Sequence, residues 1–243
     1  MQGYTRHQLK QDKFAETAKD AAQWTAGHQR GVLWGVALVV LAVAGYFGFT
    51  TWQNRQSENA NAGLGAAMRV LITPLRPPGA PAGESQSKDT FANATQRAQA
   101  AGKEFKAVAD QYDKFPYPKA ARIARYMQGV AAMQAGDNAQ AESVLKSVAE
   151  SNNKSVAALS KMALAQLYRN TGRVSDAARI YKDLQDHPAD TVSRVQAQLA
   201  MAEMYEIPDP QQAELIYQQI QKENADNAAG QIAASRLASI KAK

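Results

Sequence analysis

Histidine is the side chain best suited to acid–base or metal chemistry near neutral pH, and this chain has three, His7, His28 and His187. They are far apart, and none pairs with a second histidine at the three- or four-residue spacing of a helical metal site. There is no cysteine, which removes thiol nucleophiles, disulfides and thiolate zinc sites together. No phosphate-binding loop, dinucleotide fingerprint or nucleophile elbow occurs, and the carboxylates are scattered along helical segments as solvated faces. The expectation is therefore no enzyme, no cofactor and no metal. The formal charge of +6 is also dispersed, with five Lys/Arg against three acids in residues 1–30 and 23 against 19 after residue 52. A nucleic-acid partner would call for a clustered basic face, and none is present.

What remains is binding by side chains held on repeated elements. "AESVLKSV" begins at Ala141, "AARIYKDL" at Ala177 and "AELIYQQI" at Ala213, a spacing of 36, and "AGKEFKAV" begins 40 residues before the first of these, at Ala101. Ahead of the later three lies another helical segment that ends in a turn, so each unit reads as helix, turn, helix. Small Ala141, Ala177 and Ala213 let the second helix approach the first, while Leu145, Tyr181 and Tyr217 fill the space toward the next unit. Gly136 and Gly172 stand where a left-handed cap ends a helix, and Asp209-Pro210 starts the third second helix by other means. A single hairpin cannot bury its apolar face, whereas stacked hairpins bury a continuous core. The predicted fold class is all-α: an α-solenoid of three to four hairpins with a terminal capping helix at 225–243, where Ile232, Leu237 and Ile240 fall on one side.

These units resemble the tetratricopeptide family. The match runs through Leu164, Ala165, Tyr168, Gly172, Ala177, Tyr181 and Leu184 in one unit, through Gly129, Ala132, Gly136, Ala141, Leu145 and Val148 in the one before, and through Ala202, Tyr205, Ala213 and Tyr217 in the last. Arg125 and Gln128 depart from it, standing where the family usually has an aromatic and an aliphatic residue. The resemblance covers about residues 90–224 and implies protein–protein binding along the first helices of the hairpins. The family's inward positions then give Tyr126, Val130, Met133 and Gln134; Met162, Gln166, Arg169 and Asn170; and Leu199, Glu203 and Glu206 as the candidate groove. The alternative for Tyr126, Val130 and Met133 is burial against the first repeat's helix, since an apolar stripe at helical spacing also makes a core.

From Gly31 to Asn54 the chain is uncharged, bracketed by Arg30 and Arg55, with Trp34 near one end and Tyr46, Phe49 and Trp52 near the other. This length and these aromatic flanks suit a membrane span at 31–52. Ala42-Val43-Ala44 offers a rival signal-peptide cleavage site, against which stand the long segment before the run and its continuation beyond Ala44. Lys13, Lys19 and Arg30 before the span against Arg55 and Arg69 after it differ little, but Arg6 and Lys10 add to the tail and a long domain after the span is largely exempt from the count, so the 1–30 tail is expected in the cytoplasm and the rest outside, in the bacterial periplasm. The tail carries Leu9, Phe14, Ala18, Ala21 and Trp24 at loosely helical intervals and reads either as a solvated segment or as a lipid-surface helix. Residues 53–72 read as the first helix of an atypical first repeat. The four prolines and two glycines of 73–89 read as a flexible loop that replaces its tight turn.

The order of tail, span, helix and degenerate repeats resembles the YfgM-like proteins, ancillary subunits of the SecYEG translocon. That resemblance implies a single-pass inner-membrane adaptor with translocon subunits, periplasmic chaperones or exported clients as partners. The alternatives are a scaffold in cell division or outer-membrane biogenesis, or an accessory domain for an envelope enzyme.

Overall fold

The computed structural model describes residues 29–77, 90–112 and 118–242; the tail expectation lies outside these residues, as do positions 78–89 of the expected loop. The chain divides into two compact units, Met1–Arg55 and Gln56–Lys243. The described part of the first unit belongs to one helix, α1 (Gln29–Ile72). The large apolar side chains of its stretch from Leu33 to Trp52 find no core: Leu41 is 69% and Trp34 73% exposed. Among the described residues α1 is the one helix long and apolar enough to cross a membrane, with a mean hydropathy of 2.0 in its best window.

Among the described residues the second unit contains the later turns of α1 and eight further helices: α2 (Ala94–Gln111), α3 (Lys119–Ala135), α4 (Asn138–Ala149), α5 (Lys154–Asn170), α6 (Val174–Asp186), α7 (Arg194–Tyr205), α8 (Pro210–Glu223) and α9 (Ala228–Lys241). Short polar residues start most of them. Asn93, Asp137, Asn153 and Asp209 each accept a hydrogen bond from the backbone N–H three residues on, and Ser193 forms a reciprocal capping box with Gln196. Gly136 and Gly172 have φ of 83° and 76°, the left-handed conformation that closes α3 and α5. Asp137 N–H then reaches Ala132 O at 3.0 Å, and Arg173 N–H reaches Tyr168 O at 2.7 Å, satisfying carbonyls the helix would otherwise orphan.

The unit is an all-helical stack. From α2 onward each helix packs on its neighbours in sequence, α3 also touches α5, and α7 touches α9. Ala141, Ala177 and Ala213 are fully buried, and so are Leu145, Tyr181 and Tyr217, which interlock the hairpins. One cluster joins Ala67 of α1 to Phe105 and Val108 of α2 and to Ala124 and Ala131 of α3. A second runs from α3 through α7 around Leu145, Leu164, Leu167 and Tyr181. A third closes the stack with Tyr217 and Ile220 of α8 against Ala233 and Leu237 of α9. Tyr126, Val130 and Met133 pack on the second cluster, whereas Met127 packs on the first. The side of α3 turned to α2 carries Ala124, Met127 and Ala131.

Near the ends of segment 78–89 the backbone is paired. Arg76 N–H donates to Phe91 O at 2.9 Å and Phe91 N–H to Pro74 O at 3.2 Å, a short parallel bridge between Leu75 and Phe91.

Candidate functional site

The first helices of three successive hairpins, α3, α5 and α7, carry the candidate groove residues. Gln134, Gln166, Asn170 and Glu203 are exposed. Tyr126, Val130, Met133 and Met162 are half-buried against the second cluster, and Leu199 is half-buried against the third. The row is thus polar at its surface over an apolar floor. Arg169 bridges two helices by donating from Nη2 to Glu203 Oε1 at 3.4 Å, and both side chains remain well exposed. A pair this accessible adds little stability and stays available to exchange partners. Beneath it Tyr181 is fully buried, and desolvation pushes its phenol up to about 12. Its hydroxyl has no hydrogen-bond partner among the described residues.

Glu206 stands apart from the row. Its Oε1 accepts from the Tyr217 hydroxyl at 2.8 Å and lies 3.6 Å from Arg236 Nη1, so this carboxylate ties the end of α7 to α8 and α9. Burial, followed by that hydrogen bond, raises the Tyr217 pKa. Ile123, which is not among the candidate groove residues, is 39% exposed and falls with Met127, Val130 and Gln134 on one helical stripe of α3.

A denser polar cluster joins two hairpins elsewhere. Tyr168 donates its hydroxyl to Glu142 at 2.9 Å, Lys146 and Arg173 pair with the same carboxylate at 2.7 and 2.8 Å, and the Arg173 guanidinium lies 3.9 Å from the centre of the Tyr168 ring. Lys146 first and Arg173 second hold the Glu142 carboxyl down at about 2. This is a joint between α4, α5 and the start of α6, saturated by its own partners. His187 lies 3.2 Å from Asp183 and is exposed, and no group of three His, Asp or Glu side chains fit to hold a metal occurs among the described residues.

A family model for tetratricopeptide repeat-like domains matches residues 22–181, about two thirds of the chain. The chain belongs to this family. The match begins ahead of the apolar run, so the tetratricopeptide repeat-like pattern takes in α1 as well as the hairpins through most of α6. Helices α7 to α9 lie beyond it, yet α7 and α8 repeat the same hairpin. No curated protein and no solved structure matches the chain. Repeat-like domains of this kind serve protein–protein interaction, which is the role this fold indicates here.

Proposed function

We propose that the protein is a membrane-anchored adaptor that holds polypeptide segments along the α3, α5 and α7 row, on the periplasmic side of a bacterial inner membrane. The observation that carries this reading is the row itself: exposed Gln134 and Asn170 at one repeat position and exposed Gln166 and Glu203 at another, over half-buried Met133, Met162 and Leu199. Polar amides can follow the backbone of an extended segment while a methionine-containing floor accommodates varied apolar side chains. Arg169 and Glu203 then orient a charged client more than they tighten it. The unclaimed apolar surface of α1 supports the anchor, and the basic residues of the tail support its orientation. The segment order supports a place beside the secretory translocon and its chaperones.

The test uses the full-length protein in its membrane with a photoreactive residue at 134, 166 or, as a control on exposed α6, 182. Adducts to translocon subunits, chaperones or exported chains from 134 and 166 bear the proposal out. Adducts to division or outer-membrane assembly components would move the client to another envelope complex. Adducts confined to 182 would overturn the row as a binding face.

A further inference from the structure

We propose that the Tyr181 hydroxyl, lying under the Arg169–Glu203 pair, recognises the side-chain carboxamide of a glutamine in the bound segment, which enters as the pair parts. The inference rests on the α3, α5 and α7 row as the binding face and names what one place in it selects.

The protein builds one arrangement twice: a tyrosine hydroxyl donating to a glutamate that an arginine also holds. Tyr168 donates to Glu142 at 2.9 Å beside Arg173, and Tyr217 donates to Glu206 at 2.8 Å beside Arg236. Tyr181 stands one period of 36 residues before Tyr217 and has an arginine and a glutamate near it as well. Beyond the burial that raises its pKa, the charges of Arg169 and Glu203 both act on its phenol. Its hydroxyl nevertheless bonds to neither. The residue is fully buried and the oxygen has no hydrogen-bond partner among the described residues, although buried hydroxyls in native proteins are nearly always satisfied. Glu203, which could have completed a third joint, is held by Arg169 at the surface instead.

That pair is a weak cover. Its contact of 3.4 Å is long for a charged hydrogen bond, against 2.8 Å for Arg173 on Glu142, and the two side chains are 38% and 46% exposed. Parting them therefore costs little. What enters is set by the three groups together. Arg169 and Tyr181 donate and Glu203 accepts, and the two charges offset each other, so the place attracts neither sign. A carboxylate would meet Glu203, and an ammonium would meet Arg169. A carboxamide carries an oxygen with two lone pairs and an NH2 with two donors. Its oxygen takes the hydroxyl and the guanidinium, and its NH2 takes Glu203. Glutamine supplies the reach that a main-chain amide lacks, because the hydroxyl lies below the surface. Half-buried Leu199, one turn before Glu203, offers apolar contact to its methylenes.

The test is fluorescence anisotropy on the full-length protein in detergent. The probe is a labelled peptide of alternating serine and leucine with one central glutamine, and its counterparts carry glutamate or methionine at that place. The glutamine peptide is expected to bind about tenfold tighter than either counterpart. Tyr181→Phe is expected to bring it to the level of the methionine peptide, while Lys182→Gln leaves it as in the wild type. The melting temperature of Tyr181→Phe is expected to equal or exceed that of the wild type, because the lost hydroxyl makes no bond in the free protein. Tyr217→Phe, which loses the bond to Glu206, is expected to melt lower. Equal binding of the three peptides, no binding at millimolar peptide, a glutamine preference that survives Tyr181→Phe, or a melting temperature in Tyr181→Phe as low as in Tyr217→Phe would overturn the proposal. Crosslinks from 134 and 166 do not need the hydroxyl, so their persistence beside any of these results leaves the row standing and removes this site alone.

Discussion

Gly129 and Gly172 are both required, for opposite physical reasons. A Cβ on Gly172 would meet nothing within 4 Å, but the residue sits at φ 76°, where side chains are strained. Gly172→Val is expected to destabilise the isolated repeat unit by about 1 kcal/mol or more, and Gly172→Asn by less, read from thermal melts. Gly129 lies inside α3, and its Cβ would stand 2.8 Å from Leu145, so Gly129→Ala is expected to cost about 1–2 kcal/mol by overpacking. Glu142 gives a pH signature. Its folded pKa of about 2 lies below the ordinary 4.5, so its contribution is complete above about pH 4.5 and disappears as the pH falls through 2. Urea midpoints should therefore decline more steeply between pH 5 and pH 2.5 in the wild type than in Glu142→Gln, with high salt reducing the difference. The helix-ending glycines were legible in the sequence because the turn after a periodic segment demands them. The Glu142 joint was not, since its members come from three segments, residues 142–146, 168 and 173–176, that meet only after the hairpins stack.

At the scale of elements, helix starts are set by single side chains. Ser193 and Gln196 close α7 with two reciprocal hydrogen bonds of 3.2 and 2.8 Å. Ser193→Ala is expected to lower stability by about 1 kcal/mol, measured by chemical denaturation, and Ser193→Asp to recover most of it. The repeat period made the hairpins legible, since alanine and a large residue four places on recur wherever two helices must approach and interlock. At Glu206 the period shows only part of the residue's surroundings. Position by position it falls among the inward set, and Tyr217, eleven residues on in α8, sits within reach of its carboxylate.

For the repeat unit as a whole, stability is a chain of neighbour contacts, and its last link is α9. Tyr217 and Ile220 of α8 are buried against Ala233 and Leu237, so removing residues 228–243 would bare the end of the stack. The truncated protein is expected to melt at a lower temperature, with amide exchange rising first in α8 and α7 and least in α4 and α5. The pairing of Leu75 with Phe91 has a practical consequence of another kind. The two points are held together by backbone hydrogen bonds of their own, so the pairing itself does not depend on the length of what joins them. Closing a loop twice as long costs only about 0.6 kcal/mol more. A reporter or an affinity tag spliced between residues 78 and 89 is thus expected to leave the melting temperature within a few degrees of the original, which would make this stretch a port through which the protein can be labelled.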